Sequence, residues 1–290
     1  MFGTAGAAGL ARTAPKDSHT AFVRRIRVSS GPIDILPLWV LFGVTIAAVL
    51  LSIEAGFRLG RYRRERATTG AEAEGPVGAT VGATLGLLAF LLGFTFSLAA
   101  SYFENRRELV LAEANAIGTT FLRAEMLAEP SRAEVRGLLR EYVQVRLDAF
   151  QSSRNDQALT RSEDLQRQLW SRAVTVGEKN SGSIVVGLFI QSLNETIDLH
   201  AKRVSANLRV RIPVSIWSVL YLITLFAMAA LGYHEGLAGK RRSYVTLALA
   251  CAFSAVILLI ADLDRPQEGL LRLSQQPLLD LQASMKASVP

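Results

Sequence analysis

The sequence predicts an all-α membrane protein with four transmembrane helices and a helical extramembrane domain inserted between spans two and three. Three observations lead there. Half of the 290 residues are hydrophobic and a fifth are charged, and the two populations occupy separate stretches, whereas a soluble core interleaves them at short period. Four of the apolar stretches carry no formal charge, and at 1.5 Å per residue each can cross a hydrocarbon core of about 30 Å. Between the second and the third, residues 104–211 are polar, with apolar positions recurring at helical spacing.

Residues 1–31 are rich in Ala, Gly, Ser and Arg and are interrupted by Arg12 and Lys16. They lack the continuous apolar stretch of a secretory signal and read as a flexible tail. Residues 32–103 hold spans one and two. Span one covers residues 35–53 and ends at Glu54, which can pair with Arg58 at i,i+4. Arg61, Arg63, Arg64 and Arg66 continue a basic loop that finishes in the acidic residues 71–75. Span two covers residues 76–103. Gly78, Gly82 and Gly86 repeat every four residues, and Ala89, Gly93, Ser97 and Ala100 extend the same stripe. Small residues on one face let helix backbones approach closely where no hydrophobic effect drives association. Leu87, Leu91, Phe94 and Leu98 form a separate bulky face.

Residues 104–127 continue the helix of span two and stop near Pro130. Ser131 is placed to cap the next helix, with Glu134 completing a capping box. That helix presents Leu138, Leu139, Tyr142 and Val145 at helical spacing. A polar break at 152–156 leads to a third helix over 159–176, and a loop over 177–182 follows. The last helix starts near Ser183 and runs straight into span three. Its apolar run 184–190 is too short to cross a membrane and reads as a buried helix segment. Residues 212–264 hold spans three (212–233, opening at Pro213) and four (243–261), joined by a turn containing Lys240, Arg241 and Arg242. Residues 265–290 form a C-terminal tail ordered against the membrane face. The arginines and lysines of the two short loops are balanced by Arg24, Arg25, Arg27, Arg106, Arg107, Arg209 and Arg211 on the other side, so the positive-inside count assigns no orientation.

The formal net charge is +7, and many basic residues lie beside apolar spans, which makes the lipid bilayer the partner rather than nucleic acid. Cys251, the only cysteine, lies in an apolar run and reads as inert packing. His19, His200 and His234 are too scattered for a metal set. No nucleophile elbow, phosphate-cradling glycine loop or metal-spaced Cys/His set occurs, so the expectation is neither an enzyme nor a cofactor protein.

Two polar clusters stand out. One is Glu113, Asn115, Gly118 and Thr119; the other is Asn194, Glu195, Asp198 and His200, followed by Lys202 and Arg203. On a helix Glu195, Asp198 and Lys202 share a face while His200 points away from Glu195, so ordinary interhelical hydrogen bonds and an Asp198–Lys202 pair are expected. Asp262 and Asp264, with Arg265 beside them, read as markers of the water interface rather than a cation site.

These residues also carry a resemblance. The run from Gly86 to Ser97 (GLLAFLLGFTFS), the run Glu113-Ala-Asn-Ala-Ile-Gly-Thr119, the pattern Leu193-Asn-Glu-x-x-Asp198-x-His200, and Asp262-x-Asp-Arg-Pro266 with Ser274-x-x-Pro277 resemble, in order, the motifs of the bestrophin-like domain family of bacterial integral membrane proteins. The resemblance spans roughly residues 35–285 and implies a multi-pass protein of the bacterial cytoplasmic membrane. Through that name the family is likened to bestrophins, pentameric anion channels with long helices extending from the membrane. No dense acidic run matches the calcium clasp of animal bestrophins, and their neck motif does not map onto span two. Two functions follow as expectations. One is a self-associating channel for small anions, with Leu87, Leu91, Phe94 and Leu98 as a hydrophobic gate. The other is a non-conducting scaffold, sensor or partner-binding protein, in which Gly82, Gly86 and Gly93 pack helices within one subunit.

Overall fold

Uncharged runs of Leu, Ala, Val and Ile without interior breakers favour long helices, and long helices dominate this chain. The computed structural model describes residues 37–66, 74–151, 155–239, 244–265 and 269–287. The N-terminal tail, residues 71–73 of the acidic stretch, residues 152–154 of the polar break, Lys240, Arg241, Arg242 and Pro266 lie outside them. The described residues form α1 (Leu38–Arg66), α2 (Glu74–Ala124), α3 (Ser131–Gln151), α4 (Asn155–Lys179), α5 (Ile184–Leu208), α6 (Val214–Ala238), α7 (Tyr244–Asp264) and α8 (Gln276–Ala287), with no strand among them. Four of these, α1, α2, α6 and α7, are long and apolar enough to cross a membrane.

Two hydrophobic cores share one helix. α1, the uncharged part of α2, α6 and α7 enclose Leu41, Val49, Leu88, Leu92, Trp217 and Met228. The rest of α2, with α3, α4, α5 and α8, encloses Ile117, Phe121, Leu139, Leu165, Phe189 and Leu278. With 51 residues, α2 is about 77 Å long at 1.5 Å per residue and joins the two cores without a break.

Glycine brings α1 and α6 together. A Cβ on Gly56 would run into the carbonyl oxygen of Ala229, and one on Gly60 into that of Tyr233. Gly232 and Gly236 stand in the same relation to the carbonyls of Ile53 and Phe57. Each helix thus carries a pair of glycines four residues apart, seated against the other helix's backbone, the small-residue packing that suits helices in lipid. Two polar contacts tie α1 to α6 inside this bundle: Thr45 and Tyr221 share a 2.9 Å bond, and Ser52 donates to the carbonyl of Leu225 at 2.6 Å. Satisfying polar groups internally is what an apolar surrounding demands.

Several expectations need correction. α5 does not run into the third span: it ends at Leu208, and α6 starts only at Val214. Pro213 offers no amide hydrogen, and its ring opposes helical backbone before it. The capping box at Ser131 does not form. Glu129 instead accepts from the amide of Ala133, and Glu134 pairs with Arg172 of α4 at 3.2 Å. α1 continues past Glu54, whose bond with Arg58 (2.7 Å) supports the helix rather than ending it. The run 184–190 is amphipathic, with Val186 and Phe189 buried and Ile184 exposed. Cys251 is exposed, because α7 buries the opposite line of Ala250, Ser254, Ile257 and Ala261. The C-terminal segment forms a helix whose Leu278 and Met285 enter the core of the polar helices.

Candidate functional site

The two sides of α2 differ sharply. Val81, Leu88, Leu92, Thr95 and Ala99 are buried against the bundle, and farther along the same side Arg106, Val110, Glu113, Ile117 and Thr120 are buried too. The other side carries the small-residue stripe. Around Gly82, Gly86 and Gly93 nothing among the described residues comes within 4 Å of where a Cβ would stand, and of the four stripe glycines only Gly78 meets a described neighbour, the ring of His234. Among the described residues, the glycines that pack helices together are therefore those of α1 and α6, not Gly82, Gly86 and Gly93. Of the bulky face, Leu87 and Phe94 are exposed, while Leu91 and Leu98 are half-buried. Leu91, Phe94 and Thr95 line one wall of an apolar groove of about 310 Å³, with Ser215, Ile216, Val219 and Leu220 on the other.

Beyond the uncharged run, α2 carries two buried charged residues about two turns apart on one side. The first is Arg106, 1% exposed. Its guanidinium donates to the carbonyls of Ala206 (3.2 Å), Val210 (2.7 Å) and Leu263 (3.2 Å). Helix ends leave carbonyls without partners, and Arg106 satisfies those at the close of α5, in the break before α6 and at the close of α7. The acids nearby serve the same seam. Asp264 accepts from the amide of Ile212 at 3.0 Å, and Arg211 donates to the Asp264 carbonyl. Asp262 accepts from the amides of Leu270 (2.8 Å) and Leu271 (3.1 Å). Asp262, Asp264 and Arg265 are buried, so they do not mark an open water interface. The two carboxylates are spent on backbone amides, which fixes the chain around the ends of α6 and α7.

The second is Glu113, the centre of a buried cluster drawn from five segments. Arg203 of α5 donates through Nη1 to Glu113 Oε2 and through Nη2 to Gln275 Oε1, the latter at 2.7 Å. Arg146 of α3 places Nη2 3.3 Å from Glu113 Oε2 and Nε 3.1 Å from Oε1. Tyr142, one turn before it, donates to Glu113 Oε1 at 3.1 Å, and its hydroxyl lies 3.0 Å from His200 Nδ1. Gln166 of α4 donates to that hydroxyl at 3.1 Å. Burial pushes the Glu113 carboxyl up, but Arg146, His200 and Arg203 together hold it well below the usual carboxylate range. Burial raises the Tyr142 phenol and lowers both His200 and Arg203.

The structure thus joins Glu113, His200 and Arg203 and leaves the other motif residues outside. Asn115, Asn194, Glu195 and Asp198 are exposed. Asp198 accepts a 3.4 Å bond from Asn194 in place of the expected pair with Lys202. No group of three or more metal-ligating side chains occurs among the described residues. Sequence reasoning missed Tyr142, Arg146, Gln166 and Gln275. Arg146 could have been found, since it sits four residues after Tyr142 in the apolar line of α3, where an arginine needs a buried counter-charge.

The Bestrophin-like domain matches residues 42–278. No curated protein matches the chain. Among solved structures, a crystal structure of a protein described as a membrane protein is similar at 14% identity and TM-score 0.61, covering 86% of this chain and 97% of that one. A variant of a bacterial bestrophin homologue from Klebsiella pneumoniae is similar at 13% identity and TM-score 0.60, covering 85% and 99%. A second structure of that homologue gives 15% identity and TM-score 0.58, over 86% and 98%. At such identities these likenesses bear on the fold alone.

Proposed function

This chain belongs to the Bestrophin-like domain family, and on that premise we propose that it is a self-associating channel for small anions in a bacterial cytoplasmic membrane. The observation that carries the proposal is the uncovered side of α2. From Gly82 to Ala100 that side bears no charge, and Gly82, Gly86 and Gly93 meet nothing among the described residues. Glycine costs a helix about 0.8–1.0 kcal/mol relative to alanine. Glycines repeated along a face that touched only lipid tails would have no compensating contact, whereas small residues let the backbone of a second copy approach. Leu87, Leu91, Phe94 and Leu98 lie beside the stripe and would form the constriction, gating by dewetting. In this reading residues 104–211 stand outside the membrane and α2 is the shaft between the two parts. The net charge of +7 favours anions at the mouth.

The test is reconstitution. Purified protein in liposomes should pass chloride, Phe94→Ala should raise the leak, and the detergent-solubilised protein should be an oligomer with an axial cavity lined by α2. Tight liposomes together with a monomer in detergent would sink the proposal. An oligomer in tight liposomes would favour the scaffold.

A further inference from the structure

The cluster around Glu113 has more hydrogen-bond donors than a purely structural ion pair needs. Tyr142 has one proton and two neighbours able to accept it, Glu113 Oε1 and His200 Nδ1. One arrangement gives the tyrosine and imidazole protons a partner each. Gln166 Nε2 and His200 Nδ1–H both donate to the Tyr142 oxygen, and Tyr142 donates to Glu113. Counting hydrogen bonds therefore assigns the neutral imidazole its proton at Nδ1. The lone pair then sits on Nε2, which is buried and has no hydrogen-bond partner.

That lone pair is the one site in the cluster where a proton can be added without breaking a bond. The charges facing it are Glu113 from α2, Arg146 from α3 and Arg203 from α5. Tyr142 of α3 and Gln166 of α4 contribute only neutral dipoles, and Gln275, ahead of α8, meets Arg203 rather than the imidazole. The site already holds two guanidiniums against one carboxylate, and all three side chains are at most 9% exposed. A proton on Nε2 makes three cations against one anion, and Glu113, already accepting from both arginines and Tyr142, has nothing further to offer. Buried charge without a counter-charge is costly, and the cheapest relief is for α3 and α5 to separate from α2 and admit water.

We propose that His200 is a proton-operated release, whose protonation at Nε2 loosens α3 and α5 from the buried side of α2. This release stands whether or not the chain conducts ions. Its reach comes from Arg106, which sits two turns before Glu113 on the same helix and holds the carbonyls of Ala206, Val210 and Leu263. Loosening α5 frees one end of that grip, next to the start of α6.

The sign follows from the chemistry. Burial first, then Arg146 and Arg203, lower His200 from the ordinary value of about 6.5, and Glu113 only partly opposes them. The folded state therefore binds the proton less well than the unfolded chain. The full grip exists above about pH 6.5 and is lost progressively as pH falls toward the lowered folded value. The test uses the full chain in detergent. Exchange of the imidazole Cε1 hydrogen, followed by mass spectrometry, should give His200 a midpoint below 6.5. Amide exchange over residues 139–147 and 196–206, corrected for intrinsic rate, should accelerate about tenfold for each pH unit below that of the unfolded imidazole. In His200→Gln the acceleration should vanish. His234→Gln should keep it. An ordinary His200 midpoint in the wild type, or unchanged protection down to pH 5, would overturn the proposal even if the glutamine variant failed to fold. So would an equal acid response in His200→Gln.

Discussion

The two cores of this molecule are held by opposite means. In the apolar bundle the tightest contact is backbone against backbone, with Gly56 and Gly60 seated on α6 and Gly232 and Gly236 seated on α1. Its specificity is one of size, and neither pH nor salt acts on it directly. Among the polar helices the specificity is one of charge: Glu113 alone engages Arg146, Arg203 and Tyr142, and through Tyr142 meets Gln166 and His200. Where the surroundings are apolar, close packing does the work that water release does elsewhere. Where arginines are buried, one carboxylate becomes indispensable because they cannot lose their charge. The first core should therefore fail on an added methyl group and the second on a removed oxygen.

The largest effect should come from Glu113→Ala, which leaves the guanidiniums of Arg146 and Arg203 buried without a counter-charge. Breaking such a buried pair costs about 3–5 kcal/mol, seen as a large fall in Tm or loss of folded protein. Adding Arg146→Met and Arg203→Met to Glu113→Leu should recover most of the loss, since apolar replacement of a whole buried ion group is often neutral. If the triple variant is no better than Glu113→Ala, the charge account of this core is wrong. Gly232→Leu comes next, at roughly 3 kcal/mol, the upper end of overpacking, because the obstacle is the backbone of Ile53 rather than a movable side chain. Its Tm deficit should be equal at pH 6 and pH 8. Arg106→Met, at the seam, strips the carbonyls of Ala206, Val210 and Leu263 of their donor. A loss of about 1–3 kcal/mol follows, smaller than one bare acceptor each would give because water can reach some of them. Amide exchange should rise around residues 206–213 and at the end of α7 while the interior of α1 stays protected.

The four apolar runs were legible as helices because lack of charge over that length leaves few alternatives to a span. The length of α2 was legible too, since no Pro interrupts residues 104–124. The break before α6 was missed although Pro213 stands at it, and Arg106, which makes it tolerable, looked like one more basic residue beside a span. The cluster was half legible. Glu113, His200 and Arg203 stood out as polar residues in ordered motifs, yet their meeting depends on how α2 and α5 lie together, which helical periodicity does not specify. Tyr142 was read as a core aromatic, which is true of its ring and silent about its hydroxyl. For the small residues the longer stripe drew the eye to α2, while Gly56-x-x-x-Gly60 and Gly232-x-x-x-Gly236 carry the same spacing in shorter form. Spacing marks a helix as able to pack closely; it does not say which helix, or which chain, supplies the partner.

That last distinction gives the smallest expected effect on folding and the sharpest test of the comparison. Gly86→Leu makes the same change of side chain as Gly232→Leu, but nothing among the described residues lies within 4 Å of a Cβ at position 86. It should cost the fold of a single chain nothing, and the gain in helix propensity over glycine is at most about 1 kcal/mol. If the uncovered side of α2 meets a second copy, the same leucine should lower the mass of the particle in detergent, or abolish chloride flux, while leaving Tm and helicity near those of the wild type. Gly232→Leu should do the reverse, lowering Tm first and changing the assembly only as folding fails. Equal losses of Tm in the two variants would mean that Gly86 is covered from within the chain. An unchanged particle mass and flux in Gly86→Leu would leave its side of α2 facing lipid, and the channel proposal would lose the observation that carries it.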